Sequence, residues 1–244
     1  MGDSERALEY FETTIELNPY FAPPYLGRAL IYQETRPGRD RTADLKKAIE
    51  LDPYFVEAYL ALSEDHLEHD QLEAAIQTLE ELQSVITYED ARYYWLEARV
   101  LLARQDYPAA LKAAQNANRL DETMLAAYLT LAQAYLVNDK PEAAIEKAKI
   151  YLRYEPEDPM AWLLLAQAQY SDGANRETTL QSLAKAIELN PENPTPYGYR
   201  GLMLLENGES QAAINDLLQA VRLDGSSFEF NLNLGRSLYA AERY

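Results

Sequence analysis

The segment YLTLAQAY (residues 128–135), followed by PEAAI (residues 141–145), decides the fold of this 244-residue chain. Tyr128, Ala132 and Tyr135 are spaced i, i+4 and i+7, which places them on one face of a helix. An Asn-Asp pair between the two segments signals a turn. The stretch therefore predicts two short helices joined by a tight turn, a helical hairpin.

The same pattern recurs along the chain at intervals of 34 or 35 residues. A large aromatic residue opens each unit, at Tyr25, Tyr59, Tyr94, Tyr128, Trp162 and Tyr197. A small residue follows four positions later, at Ala29, Ser63, Ala98, Ala132, Ala166 and Gly201. Helices that cross closely need short side chains where their axes approach. The sequence therefore predicts one helical hairpin repeated in tandem.

An aromatic residue, a small residue and a closing proline at this period resemble the tetratricopeptide repeat, a unit of two helices. The resemblance covers nearly the whole chain and implies an all-α fold, a right-handed α-solenoid of stacked helix-turn-helix repeats. It implies a single array over residues 1–244: the second helix of a partial repeat, six full repeats, and the first helix of a partial or capping repeat. These units are predicted at 3–19, 22–55, 56–90, 91–124, 125–158, 159–193, 194–227 and 228–244. The half units favour a fragment of a longer array, and a chain capped by its last helix is the alternative.

Two local features carry their own predictions. Arg41 stands where a small residue is expected, so the hairpin around residues 36–47 is predicted to pack loosely or to be rotated. Asp70 and Asp139 are each followed three residues later by glutamate. This spacing predicts that both aspartates cap the N-termini of second helices.

Charge narrows the range of partners. The chain has 22 Lys and Arg against 40 Asp and Glu, a net charge of −18, which repels phosphate backbones. We therefore expect no nucleic-acid partner, and a protein or peptide of basic or amphipathic character instead. No apolar run is long enough to cross a bilayer and no signal peptide is recognisable, so membrane insertion is not expected and a cytoplasmic location is the default.

The resemblance implies that the first helices line the concave side of the solenoid. A stripe one residue beyond the repeat aromatic, about 100° further round the helix, then faces this groove. Its leading residues are mostly apolar and its followers in the middle units are polar, which suits an amphipathic or extended peptide. The predicted groove residues are Leu26, Leu30, Leu60, Glu64, Arg92, Trp95, Arg99, Leu129, Gln133, Leu163, Gln167 and Leu202. Trp95, between two arginines, is the predicted centre of binding.

A second interpretation of this stripe is that its leucines pack between the first helices of neighbouring repeats. We favour the groove. Some members of the resembled family hold acidic chaperone tails through a carboxylate clamp of Lys, Asn and Arg at these places. Here Leu60, Trp95, Leu129 and Leu163 stand at the leading places. We therefore expect no clamp and no binding of acidic chaperone tails.

Other constellations favour structural roles. His66 and His69 are spaced i, i+3 among carboxylates, a pattern that can bind a metal. His66 also occupies a position that holds tyrosine in sister repeats, so we expect packing and no metal. The basic residues Arg36, Arg39, Arg41, Lys46 and Lys47 favour a solvated loop, with an acidic partner or an acidic surface of the same chain as the alternative.

No arrangement of catalytic groups stands out. There is no cysteine, no glycine-rich phosphate loop and no distinct pair of carboxylates for acid–base work. We therefore expect neither catalysis nor a cofactor. The sequence predicts a protein-binding scaffold. The alternatives are a module that self-associates through its terminal half repeats, and a regulatory domain of a larger protein.

Overall fold

A computed structural model of the chain describes residues 3–35 and 41–242. These residues form fourteen α-helices and no strand. The helices are α1 Asp3–Leu17, α2 Pro23–Thr35, α3 Thr42–Leu51, α4 Val56–Glu68, α5 Leu72–Val85, α6 Ala91–Ala103, α7 Tyr107–Leu120, α8 Leu125–Val137, α9 Pro141–Leu152, α10 Pro159–Ser171, α11 Arg176–Leu189, α12 Pro194–Glu206, α13 Ser210–Leu223 and α14 Phe228–Ala241. The expected all-α fold of paired helices is confirmed.

The chain divides into two compact units, Met1–Glu122 with α1–α7 and Thr123–Tyr244 with α8–α14. Within each unit every helix packs on the next one along the chain. The first helices of successive hairpins also touch, α4 with α6 in unit 1, and α8 with α10 and α12 with α14 in unit 2. A surface made of first helices is thus formed within each unit.

The small residue of each repeat lies where the two helices of its hairpin meet. Ala29, Ser63, Ala98 and Ala132 are fully buried. At Gly201 an added Cβ would lie 2.6 Å from Cγ of Leu217 on α13, closer than two carbons can approach. The predicted role of the small residues in close helix packing is confirmed.

Five of the hairpin turns share one backbone geometry. The second residue after the first helix is left-handed, with φ of 56° at Asp70, 61° at Gln105, 56° at Asp139, 67° at Gly173 and 80° at Gly208. The following N–H donates to the carbonyl oxygen five residues earlier, for example from residue 71 to residue 66 at 2.8 Å. This bond pattern ends a helix and reverses the chain.

The predicted acidic caps at Asp70 and Asp139 are wrong for this reason. Both aspartates end the first helix in the left-handed conformation, which aspartate tolerates better than most residues. The N-cap positions of α5 and α9 fall to Gln71 and Lys140, and neither side chain makes a capping hydrogen bond.

Arg41 does not loosen its hairpin. Its side chain is buried, its Nε donates to Asp65 at 2.6 Å, and its Nη2 donates to Glu68 at 2.5 Å. A buried ion pair with α4 thus replaces the small residue, and the expected loose packing is wrong for the described part of this hairpin. Of the other basic residues in this region, Lys47 pairs with Glu50, Lys46 is exposed, and Arg36 and Arg39 lie outside the described residues.

Over the described ranges, no helix is both long and apolar enough to span a bilayer.

Enlarging a small residue of the repeat should destabilise its unit. We expect Ala132→Leu to lower the free energy of unfolding by about 1–3 kcal/mol, because the helices cannot separate without losing contacts. Urea unfolding followed by circular dichroism measures this. Ala126→Leu, at an exposed position of the same helix, is the control, and an equal effect of both would contradict the packing role.

The left-handed turn at Gln105 offers the opposite change. Gln105→Gly should raise the free energy of unfolding by about 1 kcal/mol, since glycine adopts positive φ without the clash of a Cβ. Glu80→Gly, at an exposed helical position of α5 in the same unit, should instead lower it by about 1 kcal/mol. Thermal melts of both variants test this, and destabilisation by Gln105→Gly would exclude the assigned turn geometry.

Candidate binding surface

Helix α6 presents three of the predicted binding residues on one face. The helix begins after Asp90, whose carboxylate accepts a hydrogen bond from the N–H of Tyr93 at 2.9 Å. Arg92, Trp95 and Arg99 then follow at i, i+3 and i+7, a spacing that aligns them along the helix.

These side chains hold one another in place. The Arg92 guanidinium donates to the Glu64 carboxylate of α4, and the Arg99 guanidinium carbon lies 4.9 Å from the centroid of the Trp95 ring. That distance is within the range of a cation–π interaction. Trp95 is half-buried and packs on the apolar core around Leu60 and Leu96. We call Glu64, Arg92, Trp95 and Arg99 the Trp95 cluster, and the structure brings these four side chains together.

Three leucines of the predicted stripe are instead part of the core. Leu60 and Leu163 are only 4% exposed, and Leu26 is 9% exposed. Leu60 packs with Tyr93 and Leu96 of the next first helix. These three side chains cannot meet a partner without unpacking the fold, so for them the packing interpretation holds.

The remaining predicted residues stay accessible. Leu30 on α2 is 37% exposed and belongs to unit 1. In unit 2, Gln133 on α8 is exposed, while Leu129, Gln167 and Leu202 on α8, α10 and α12 are half-buried. The predicted residues of unit 2 therefore form a surface of amides and half-buried leucines, without the tryptophan and the charged side chains of unit 1.

The opposite side of α6 carries a half-buried acid. Tyr93 and Glu97 lie two positions before and after Trp95, about half a turn away. Burial raises the pKa of Tyr93 to about 12, and the neighbouring Glu97 carboxylate adds to the shift. Burial also raises the pKa of Glu97, although Lys112 and the hydrogen bond from Tyr93 act to lower it. Ionisation of Glu97 therefore destabilises the fold.

The histidines serve the turn between α4 and α5. His66 is 4% exposed, and its Nδ1 lies 2.8 Å from Oε1 of Gln71. His69 Nδ1 lies 2.8 Å from the backbone oxygen of Asp65. Among the side chains that the structure describes, no three of His, Cys, Asp or Glu are grouped so as to hold a metal ion.

The packed hairpins define a class of all-α repeat proteins. Two family models described as tetratricopeptide repeat match the chain, one at residues 60–122 and 129–194 and the other at residues 183–215. The first alone matches more than half of the sequence, so the chain belongs to the tetratricopeptide repeat family. Proteins of this family generally mediate protein–protein interactions, and the fold generally serves as a scaffold without catalysis.

Curated relatives match parts of the chain. The small glutamine-rich tetratricopeptide repeat-containing protein 2 of Mycosarcoma maydis is 32% identical over 65 residues, 27% of this chain and 18% of that protein. The beta-barrel assembly-enhancing protease of Yersinia pestis is 29% identical over 143 residues, 57% of this chain and 28% of that protein. The chain thus spans less than a third of either relative.

Solved structures share the fold at low identity. The Cut9–Hcn1 hetero-tetramer of the APC/C matches with a TM-score of 0.82 and 14% identity, over 97% of this chain and 46% of that one. PilF of Pseudomonas aeruginosa matches with a TM-score of 0.67 and 19% identity, over 99% of this chain and 100% of that one. YrrB, described as having an unusual peptide-binding site, matches with a TM-score of 0.56 and 22% identity, over 78% of this chain and 96% of that one. At these identities the likeness shows the fold alone.

One surface feature escaped the sequence analysis. A cleft of about 590 Å³ lies between α9 and α11 in unit 2, with Trp162 and three cationic side chains among its lining residues. Trp162 was assigned only as a repeat aromatic. A comparison of charges at equivalent positions of different repeats is the signal that could have revealed this cleft.

The half-buried Glu97 predicts a pH dependence of stability. Its pKa is higher in the folded chain than the ordinary 4.5. The folded state therefore holds this proton more tightly, and the contribution of Glu97 to stability falls as the pH rises above 4.5 through the raised pKa. We expect Glu97→Gln to flatten this part of the pH profile and to raise the melting temperature at pH 7.

Thermal melts between pH 4 and pH 8 measure the effect. Glu80→Gln, at an exposed carboxylate of unit 1, is the control and should leave the profile unchanged. A Glu97→Gln variant that melts lower than the parent at pH 7 would mean that its carboxylate stabilises the fold.

Proposed function

We propose that this chain is an interaction scaffold that holds a polypeptide segment on the surface of its first helices, with the Trp95 cluster as the main contact. The segment is amphipathic or basic. It does not depend on a carboxylate clamp. Leu30 in unit 1, and Leu129, Gln133, Gln167 and Leu202 in unit 2, supply further contacts within their own units.

The observation that carries this proposal is the composition of the Trp95 cluster. A half-buried indole offers a large apolar face, and Arg99 holds it in one orientation, so little conformational freedom is lost on binding. Glu64 already pairs with Arg92, and a basic side chain of the guest can share that carboxylate. Trp and Arg are the residues that most often dominate binding energy at protein interfaces.

The chain's net charge of −18 favours a basic segment as the partner. It attracts basic segments from a distance and speeds their association. The affinity expected from a few apolar anchors, after ordering costs, is on the order of micromolar. Regulation of a larger multidomain protein is compatible with the same surface, because a tethered partner would use the same contacts.

Selection from a displayed peptide library tests the proposal. Peptides enriched on the wild-type chain should be amphipathic or basic, and calorimetry should give dissociation constants on the order of micromolar. Trp95→Ala should weaken them by about 30-fold, the loss typical of a binding hot spot.

Tyr88→Ala is the matched control, because Tyr88 is an aromatic residue of the same unit that is 56% exposed and lies outside the cluster. Circular dichroism must show equal helicity for both variants. Peptides that bind the Trp95→Ala variant as tightly as the parent would refute the proposed surface.

Self-association is a second candidate function, and helix α14 favours it. Phe228, Leu232 and Tyr239 lie within about 40° of one another around the helix and are 78%, 48% and 64% exposed. Gly235, on the same face, has open space where a Cβ would be. Such an apolar row is suited to packing against another helix.

Sedimentation equilibrium tests this second function. If α14 joins two chains, the mean mass should rise with concentration, and Leu232→Glu/Tyr239→Glu should abolish the rise because it places charges in the contact. Glu229→Lys, on an exposed polar position of the same helix, is the control. A mass that stays at 27.8 kDa at every concentration would rule it out.

A further inference from the structure

A cleft in unit 2 lies between two second helices, and its lining contains none of the residues predicted to bind. Its walls are α9 and α11 and its floor is α10. Trp162 and Leu165 of the floor, with Leu152 at the end of α9, form an apolar part of the lining, and the two leucines are 3% and 8% exposed in the order Leu165 and Leu152. We call this feature the α9–α11 cleft.

The floor of the cleft is held rigidly. The indole N–H of Trp162 donates to the backbone oxygen of Pro156 at 2.8 Å, which fixes the ring. Gln169 is 6% exposed and accepts a hydrogen bond from Ser182 of α11 at 2.9 Å. An apolar side chain of a guest would therefore meet a preformed surface, which lowers the entropic cost of binding.

The rim of the cleft is positively charged. Lys149 and Arg153 stand on one side and Lys185 on the other, and none of the described residues that line the cleft is acidic. Lys185 pairs with Glu188 at 2.8 Å, a contact in which the carboxylate is 67% exposed. Across the described residues, neither Lys149 nor Arg153 has an ion-pair partner. A cationic rim in a chain of net charge −18 attracts anions locally.

Unit 1 contains an equivalent cleft whose lining holds one lysine and one glutamate in place of three cations. It lies between α3 and α5, measures about 280 Å³, and is lined at corresponding repeat positions by Lys46, Ile49 and Leu62. Counted from the repeat aromatic, Lys46 matches Lys149, Ile49 matches Leu152 and Leu62 matches Leu165.

The other two charged positions are reversed. Arg153 stands nine residues before Trp162, and Glu50 stands nine residues before Tyr59. Lys185 follows the small residue of α11 by six positions, as Glu81 follows that of α5. The packing of the repeat needs a cleft at this place but does not require all three cations, since Glu50 and Glu81 stand at the positions of Arg153 and Lys185 in the sister repeat.

We propose that the α9–α11 cleft is a second docking site, which binds an acidic peptide segment of a partner protein. One apolar side chain of the segment rests on Leu152, Trp162 and Leu165. Carboxylates on either side of it meet Lys149, Arg153 and Lys185. The site is independent of the Trp95 cluster, and the two sites select partners of opposite charge.

A fluorescein-labelled peptide of glutamates flanking one leucine tests the site by fluorescence anisotropy. The full chain should bind it, and Lys149→Gln/Arg153→Gln/Lys185→Gln should weaken binding about tenfold through the loss of three exposed charge pairs. Arg104→Gln/Lys140→Gln/Arg222→Gln removes the same charge from exposed positions outside the cleft and should leave affinity nearly unchanged. A peptide of lysines flanking one leucine should not bind the cleft.

Trp162 supplies a second readout. The chain has two tryptophans, so in the Trp95→Phe variant the emission comes from Trp162 alone. Addition of the acidic peptide should shift that emission. The peptide should bind this variant as tightly as it binds the parent, since the Trp95 cluster is not involved.

Three results would overturn the proposal. The first is equal affinity of the two triple variants, which would leave only long-range attraction. The second is displacement of the peptide by inorganic phosphate at the same concentration as the peptide, which would make the cleft a site for small anions. The third is a concentration-dependent mass that the cleft variant abolishes, which would show that a second copy of this chain occupies the cleft.

Discussion

Each hairpin depends on the close approach of two helices at one small residue. Helices whose axes are separated by bulky side chains cannot bury a continuous apolar seam, so the position four residues after the repeat aromatic admits only Ala, Ser or Gly. At Gly201 even a methyl group would overlap Leu217. The positions of the aromatic side chain, the turn and the following helix are set by this contact. The surface residues are what remains free to vary.

The same constraint explains which leucines can bind a partner. The first helices of neighbouring hairpins touch, so a residue one step beyond the aromatic faces both the surface and the next first helix. Leu60 and Leu163 turn into that contact and are buried. A tryptophan is too large to disappear there, which leaves the ring of Trp95 half-exposed and available for Arg99 to cover. Bulk at a repeated position thus converts a packing site into a binding site.

Much of the fold could be predicted from the sequence, because the period of 34 or 35 residues reports directly on repeated helix packing. The residues 128–135 fall within α8 as expected, and α9 begins at Pro141. Arg41 could not be predicted in the same way. Its role depends on Asp65 and Glu68, which lie more than twenty positions away in sequence and are brought close only by the hairpin. Asp70 illustrates a different limit, since an aspartate before a helix can cap it or can end the previous one, and only the backbone φ distinguishes the two.

Charge follows a separate logic from packing, and this is why the repeat pattern conceals it. The pattern that defines the repeat consists of apolar and small residues. Arg153 and Glu50 therefore occupy equivalent positions in it although their charges are opposite. Exposed charges contribute little to stability, so the change from Arg153 to Glu50, or from Lys185 to Glu81, between sister repeats costs the fold almost nothing. The charges that line each cleft, by contrast, differ, with three cations in unit 2 and one lysine beside one glutamate in unit 1, and this difference changes which segment can dock there. An array of near-identical hairpins can therefore present distinct binding surfaces while its core stays the same.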